Sequence, residues 1–347
     1  MTDVVIATPL EPALVDRIRE QEPEFEVRFD PDLLPPTRYP NDHAGEPSWK
    51  RSPDQERRFD DWVTGGEVLF GVPGETPASL RDVVDRAPAL RWVQGTAAGA
   101  GQQVRAADLT AEQLRRVTFT SSVGVHARQL AEFAVLGLLA FTKDVPQLLA
   151  DARARQWDHY AVRELAGQRL LVVGLGHIGR QTAQLARALG MRVTGMRRNP
   201  APEDDELVDR MRPTDELVDA VRESDAVVLA LPDTEQTREL FGKAAVDALP
   251  KHGTLVNVGR GSTVDEEALV AALREHRLAG AALDVFATEP LPDDSPLWEL
   301  DNVLLSPHTA ALSLHENERI VDLFIDNLGR FRRGEPLRNV VDPQRFY

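Results

Sequence analysis

The run Arg169-Leu170-Leu171-Val172-Val173-Gly174-Leu175-Gly176-His177-Ile178-Gly179-Arg180 decides the fold. Its four consecutive apolar residues read as a strand buried on both faces, and residues 180–189 continue with helical spacing. The glycines between strand and helix sit where a dinucleotide turn needs them. Gly174 takes the tight turn, Gly176 leaves room for backbone N–H groups to approach a pyrophosphate, and Gly179 lets the helix pack closely on the strand. The helix N-terminus then faces the anion. Glycines also mark ordinary turns. The strand before them and the helix after them make this a dinucleotide-binding turn, with His177 and Ile178 as spacers that lie beside the cofactor.

Downstream the pattern is regular. Strands are expected at 170–173, 192–195, 226–231, 254–258, 281–285 and 303–305, separated by helical stretches that include 215–222 and 266–275. Six strands alternating with helices imply a doubly wound parallel sheet. Upstream, apolar strands at 4–7, 67–70 and 90–93 alternate with helical pieces at 14–19 and 80–86, so the first part of the chain reads as a smaller α/β domain. The segment 31–61 between them is rich in proline and charge and reads as a surface excursion, either an ordered flap or a plain insertion. Residues 126–142 are almost continuously apolar, which requires a helix buried on most sides, between domains or at a subunit interface. Residues 312–332 regain helical periodicity and are expected to return to the first domain.

With 347 residues the chain has room for two cores. The division expected is 1–119 with 312–347 as the substrate-binding domain, and 120–311 as the dinucleotide-binding domain. A net charge of −16 argues against nucleic acid or an anionic membrane as the main partner. The absence of cysteine excludes disulfides, thiolate nucleophiles and cysteine-ligated zinc, and no metal is expected. No stretch reaches the ~20 apolar residues of a membrane span, and the N-terminal apolar run is too short for a secretory leader, so a cytoplasmic protein is expected.

Reduction of a carbonyl by a nicotinamide needs a proton donor, a cation to hold the substrate, and a group that tunes the donor, placed at the carboxyl ends of strands. Three polar residues follow three expected strands: Arg260 in Val-Asn-Val-Gly-Arg-Gly, Glu289 in Ala-Leu-Asp-Val-Phe-Ala-Thr-Glu-Pro, and His308 in Leu-Ser-Pro-His-Thr-Ala. With the glycine turn, these segments resemble the D-isomer-specific 2-hydroxyacid dehydrogenases, well over residues 90–335 and loosely before them. The resemblance implies two doubly wound parallel-sheet domains, a Rossmann-type dinucleotide domain inserted into a smaller flavodoxin-like substrate domain. It implies His308 as the acid that protonates the carbonyl oxygen, for which an imidazole is suited near neutral pH. Glu289 would pair with it and favour the imidazolium. Arg260 would clamp the substrate carboxylate with a planar fork that lysine lacks. Asp284 would accept a hydrogen bond from the nicotinamide carboxamide, and Leu231, Pro232, Thr237, Val258, Gly259 and Ala310 would complete the cofactor contacts. Ala98 and Gly99, in the loop Gly95-Thr-Ala-Ala-Gly-Ala-Gly101, match the segment whose backbone holds the substrate carboxylate; as plain sequence this is also a flexible glycine loop.

Other histidines, including His43, His126 and His177, read as structural, and Trp298 as core or cleft wall rather than a substrate reader. The short-chain dehydrogenase class needs a tyrosine with lysine four residues on, and Tyr39, Tyr160 and Tyr347 lack it. The L-lactate class would place the glycine turn near the N-terminus. Formate dehydrogenases use glutamine where Glu289 stands, and the chain after His308 is short for a regulatory domain. The expected protein is a homodimer that interconverts a small 2-oxo acid, glyoxylate- or hydroxypyruvate-like, and its D-2-hydroxy acid. The alternatives are a bulkier 2-hydroxy acid, or a dinucleotide-sensing interaction protein like the corepressors that share the fold. The cofactor expected is NADP rather than NAD, with NAD possible. About 20 residues past the turn, where an aspartate would take the ribose hydroxyls, stand Arg197 and Arg198, which suit a 2′-phosphate.

Overall fold

The computed structural model describes residues 2–198 and 206–346. The chain divides into two compact units, Met1–His126 with Leu312–Tyr347, and Ala127–Ala311. The first crossing therefore falls at Ala127 rather than at 120. The reason is local: Ser121 N–H donates to Asn339 O (3.0 Å), Asn339 Nδ2 to Val123 O (2.7 Å), and His126 Nε2 lies 2.8 Å from Glu316 Oε1. Residues 121–126 are thus tied to the end of the chain.

The first unit runs β1 (Thr2–Ile6), α1 (Pro12–Gln21), β2 (Phe25–Arg28), α2 (Pro53–Gly65), β3 (Val68–Phe70), α3 (Pro77–Arg86), β4 (Trp92–Gln94), α4 (Ala100–Ala106), α5 (Ala111–Arg116) and β5 (Thr118–Thr120). Its five strands are all parallel in the order β2-β1-β3-β4-β5, the flavodoxin-like order. Two of them are absent from the sequence reading, β2 and β5. Each is three or four residues long and sits at a sheet edge, and Phe-Glu-Val-Arg in β2 buries only alternate residues, so no continuous apolar run announces it. The segment 31–61 is not a plain surface excursion. A 3₁₀ turn covers Pro31–Leu33, and α2 starts inside it at Pro53, capped by reciprocal bonds between Ser52 and Gln55. Leu33, Leu34 and Phe59 are buried in the core.

The second unit opens with α6 (Ala127–Thr142) and α7 (Val145–Ala154), then β6 (Arg169–Val173), α8 (His177–Ala188), β7 (Arg192–Met196), β8 (Arg210–Arg212), α9 (Leu217–Arg222), β9 (Ala226–Leu229), α10 (Lys243–Ala248), β10 (Thr254–Asn257), α11 (Glu266–Arg274), β11 (Gly280–Leu283) and β12 (Val303–Leu305). The sheet is wholly parallel in the order β12-β11-β10-β9-β6-β7-β8, with the direction of winding reversing between β6 and β9. Among the described residues it has seven strands rather than the six expected. The addition, β8, is Arg-Met-Arg at an edge, and its buried Arg212 is neutralised by Glu223 at 3.0 Å, a pairing that hydropathy cannot announce. The central strands are buried throughout, as a sheet covered on both faces requires.

The apolar helix α6 lies against the sheet and α8. A Cβ at Gly137 would meet Ala282 Cβ at 2.5 Å and Val256 Cγ2 at 3.2 Å, so glycine permits that approach. Leu136 on the same helix stays exposed. No single helix among the described residues is long and apolar enough to cross a membrane; α6 and α7 pass by length and composition only as a pair bent by 60°.

The chain then returns to the first unit as α12 (Glu316–Arg333), whose Ile320, Val321, Phe324 and Leu328 enter the core beside Val4, Phe70 and Trp92. The Phe324 ring lies 5.0 Å from Phe70, edge-on, and 5.1 Å from Trp92.

Candidate active site

The second unit places its polar residues by strand register. Asn257 is level with Leu283, and Leu283 with Leu305, so β10, β11 and β12 end side by side. The three loops that follow carry Arg260, Glu289 and His308 at the carboxyl end of one parallel sheet, where ligand sites of this architecture form.

Arg260 is fixed by the backbone around it. A Cβ at Gly259 would come within 2.7 Å of Leu231 N and O, and one at Gly261 within 1.9 Å of the Phe286 carbonyl, so only glycines fit on either side. The Arg260 carbonyl accepts from Asn257 Nδ2 (3.0 Å) and Thr263 Oγ1 (2.6 Å), and Asn257 Oδ1 accepts from Gly259 N–H (3.0 Å). Asn257 is fully buried and shapes the loop that presents the guanidinium. Sequence reasoning passed over Asn257 and Thr263; the polar residue closing an otherwise apolar strand was the available signal. Arg260 Nη1 donates to the Gly259 carbonyl at 2.7 Å.

Glu289 and His308 are brought together directly, His308 Nδ1 to Glu289 Oε2 at 2.7 Å. The second carboxylate oxygen accepts from Phe286 N–H at 3.0 Å, which orients the group. His308 has φ of +56°, a left-handed conformation uncommon for a side-chain-bearing residue. Its N–H donates to the carbonyls of Asp284 (3.0 Å) and Ser306 (2.9 Å), which hold it there. With Nδ1 engaged by Glu289, Nε2 is the ring nitrogen through which a proton can pass.

Asp284 is 1 % exposed. Its Oδ1 accepts from Ser306 Oγ (2.5 Å) and Ala310 N–H (2.9 Å), so the carboxylate clamps both ends of the segment that carries His308. The sequence reading gave Asp284 a cofactor contact and missed Ser306, although Leu-Ser-Pro-His stood in the motif. Ala310 enters the site through this backbone bond.

The glycine turn has the geometry its spacing requires. Gly174 has φ of +98°, and a Cβ there would lie 2.6 Å from the Ala230 carbonyl oxygen. A Cβ at Gly179 would lie 1.9 Å from the Gly174 oxygen, which is the close helix approach. A Cβ at Gly176 would meet nothing within 4 Å, so the backbone there faces open space. His177 is exposed and Ile178 half-buried at the start of α8. Leu231, Pro232 and Thr237 follow β9, where Thr237 Oγ1 donates to the Pro232 carbonyl (2.6 Å) and accepts from Thr234 N–H (2.9 Å), fixing the loop. Val258 is buried, its N–H on the Leu229 carbonyl at 3.1 Å. Arg197 and Arg198 follow β7, half-buried and exposed respectively, with Arg197 N–H on the Arg212 carbonyl at 3.3 Å.

In the first unit the loop that holds Ala98 and Gly99 is tied to its neighbours by hydrogen bonds. Gly95 N–H donates to the Thr120 carbonyl (2.8 Å), the Gly95 carbonyl accepts from Gln94 Nε2 and Ser122 Oγ (both 2.9 Å), and Ser122 N–H donates to Ala97 O (3.2 Å). Thr96 Oγ1 donates to Glu75 Oε1 (3.1 Å), and burial pushes the Glu75 carboxyl above its ordinary range. Gly99 caps α4 and Ala98 is exposed.

His126 is structural as read, through its bond to Glu316. Trp298 is neither core nor fully free: 52 % exposed, it is tethered by Nε1 to the Pro292 carbonyl at 2.9 Å.

Residues 135–310 match the family of the D-isomer specific 2-hydroxyacid dehydrogenase, NAD binding domain. The glyoxylate reductase of Korarchaeum cryptofilum is 34 % identical over 272 residues, 76 % of this chain and 79 % of that protein. The D-3-phosphoglycerate dehydrogenase of Methanocaldococcus jannaschii is 31 % identical over 271 residues, 76 % of this chain but only 49 % of that protein, so the chain spans about half of its length. An NADPH-dependent glyoxylate/hydroxypyruvate reductase from Sinorhizobium meliloti, solved with NADP and sulfate, superposes with a TM-score of 0.77 at 25 % identity, covering all of both chains.

Proposed function

We propose, because the chain belongs to the D-isomer-specific 2-hydroxyacid dehydrogenase family, that it interconverts a small 2-oxo acid and its D-2-hydroxy acid with NADP as cofactor, NAD being possible. The observation that carries this reading is the 2.7 Å Glu289–His308 pair beside Arg260 at the ends of three adjacent strands. Residues Ala127–Ala311 are the dinucleotide-binding domain in this reading, and the first unit is the substrate domain.

When bound, the nicotinamide supplies the hydride for reduction or takes it up in oxidation. His308 Nε2 gives the proton to the carbonyl oxygen and recovers it in the reverse direction. Glu289 holds the ring by Nδ1 and stabilises the imidazolium that donates. Arg260 binds the substrate carboxylate and polarises the adjacent carbonyl, and the backbone of Ala98 and Gly99 contacts the substrate. The turn Gly174–Gly179 with its open face at Gly176 fits a pyrophosphate, with Leu231, Pro232, Thr237, Val258, Gly259, Asp284 and Ala310 along the rest of the cofactor. Arg197 and Arg198 take the 2′-phosphate with charge-assisted bonds. Replacing Arg197→Asp is expected to move kcat/KM from NADPH toward NADH; an unchanged ratio contradicts that assignment.

A glyoxylate- or hydroxypyruvate-like substrate is supported by the names of the similar proteins. The test is the rate of NADPH oxidation across 2-oxo acids of increasing side-chain size. Highest kcat/KM for the two-carbon and three-carbon acids supports the reading; a maximum at a bulky side chain selects the larger substrate, and no turnover of any acid selects the corepressor-like alternative. We also assign the protein to the cytosol as a homodimer. The second unit exposes Leu136, Leu148, Leu149, Trp157, Tyr160 and Val162, an apolar set suited to self-association. A monomer by sedimentation at micromolar concentration would overturn the dimer.

A further inference from the structure

Glu75 carries a carboxyl that the proposed chemistry leaves unused. It ends the turn Pro73–Glu75 between β3 and α3, where Gly74 and Glu75 have φ of +62° and +52°. The left-handed region is uncommon for a residue that bears a side chain. The turn bends that side chain back, so that Glu75 Oε1 accepts from Val72 N–H at 3.4 Å and from Thr96 Oγ1 at 3.1 Å. The groups that bear on the carboxyl are this N–H, the Thr96 hydroxyl and the Gln103 amide, none of them charged, and burial pushes the carboxyl toward its neutral form. An ionisable group held inward without a cation is costly where a plain turn needs only a small polar side chain.

The bond to Thr96 is a handle on a loop that offers no other. Residues 95–101 read Gly-Thr-Ala-Ala-Gly-Ala-Gly, so Thr96 alone carries a side chain longer than a methyl group. Thr96 is 3 % exposed, and a Cβ at Gly95 would overlap the Cβ of Ala100, so the loop closes tightly on itself. A displacement of Thr96 therefore passes along the backbone to Ala98 and Gly99, two and three residues on.

We propose, resting on the dehydrogenase reading, that Glu75 is a positioning residue for the substrate: through Thr96 it sets the backbone of Ala98 and Gly99 where that backbone meets the substrate carboxylate. The residue comes from a different loop and touches neither substrate nor cofactor. A neutral side chain suits this place, since an ionised one beside a backbone that receives an anion would oppose the substrate.

Steady-state kinetics of the full chain with NADPH and glyoxylate or hydroxypyruvate test this, with the Ki of oxamate, a carboxylate whose amide carbonyl resists hydride, read alongside. Glu75→Leu removes the acceptor, and Thr96→Val removes the hydroxyl while keeping the shape. Each is expected to raise KM for the 2-oxo acid and Ki for oxamate about tenfold, with kcat and KM for NADPH within about twofold of the wild type. Glu75→Gln keeps an uncharged side chain with an oxygen in the same place, so its KM should stay within about threefold. The double variant Glu75→Leu with Thr96→Val should be no worse than either single change, because both break one connection. If Glu75→Leu does not fold, Thr96→Val and Glu75→Gln decide the matter. An unchanged KM in Thr96→Val overturns the inference, as does a glutamine as damaging as leucine, or a loss of kcat and NADPH affinity as large as the rise in KM. A wild type that reduces no 2-oxo acid removes the dehydrogenase reading and this inference with it, whereas turnover with a KM that the variants do not move removes the inference alone.

Discussion

His308, Glu289 and Asp284 divide one task among them. Asp284 clamps the segment, Glu289 fixes the ring, and in the proposed reaction His308 keeps its other nitrogen for the substrate. The three polar residues after strand ends were legible because polar chemistry at the carboxyl edge of a parallel sheet has few structural uses. Asn257, Thr263 and Ser306 were not, because their work is to satisfy backbone and carboxylate atoms that become neighbours only after folding. A second carboxylate carries a stability consequence. The Arg38 guanidinium, with the N–H groups of Arg38 and Gly45, holds the Asp42 carboxyl down to about 2 from its ordinary 3.8, against the opposing effect of burial. A pKa lower in the folded than in the unfolded chain stabilises the fold above about pH 4, and that contribution disappears as pH falls toward 2. Denaturant titrations from pH 5 to pH 2 should therefore show a loss of stability that is shallower in Asp42→Asn; identical slopes would contradict it.

At the scale of elements, the strand–turn–helix from β6 to α8 was readable, since Gly174 and Gly179 each answer to a separate steric demand and Gly176 stands at an open face between them. The short edge strands β2, β5 and β8 were not: β2 buries only alternate residues, β5 is no more than Thr-Phe-Thr, and the two arginines of β8 are neutralised by Glu223 outside the strand. The two glycines allow a paired prediction. Gly176→Ala adds a methyl group into open space, so Tm should hold while NADPH affinity falls about tenfold or more, because the methyl stands on the proposed phosphate face. Gly179→Ala drives a methyl into the Gly174 carbonyl, an overpacking that costs about 1–3 kcal/mol, so Tm and NADPH affinity should fall together. Calorimetry and cofactor titration of both variants check this, and an unchanged Tm for Gly179→Ala would contradict the close helix approach.

For the whole molecule, the return of the chain as α12 closes the first unit around Phe70, Trp92 and Phe324. Periodicity over 312–332 announced that helix, but not the aromatic contacts, which join residues far apart in the chain. Phe324 is fully buried, so Phe324→Ala should cost about 3–5 kcal/mol of stability, read from denaturant unfolding. A loss below about 1 kcal/mol would mean that α12 is not a core element of its unit.

The central claim is that His308 moves the proton when a small 2-oxo acid is reduced. The most direct measurement is kcat for NADPH-dependent reduction of glyoxylate and hydroxypyruvate by the wild type and by His308→Ala, with NADPH affinity measured alongside. The account predicts turnover by the wild type, a fall of about 10²-fold or more in the variant, and NADPH affinity nearly unchanged. A variant that turns over at the wild-type rate would contradict it.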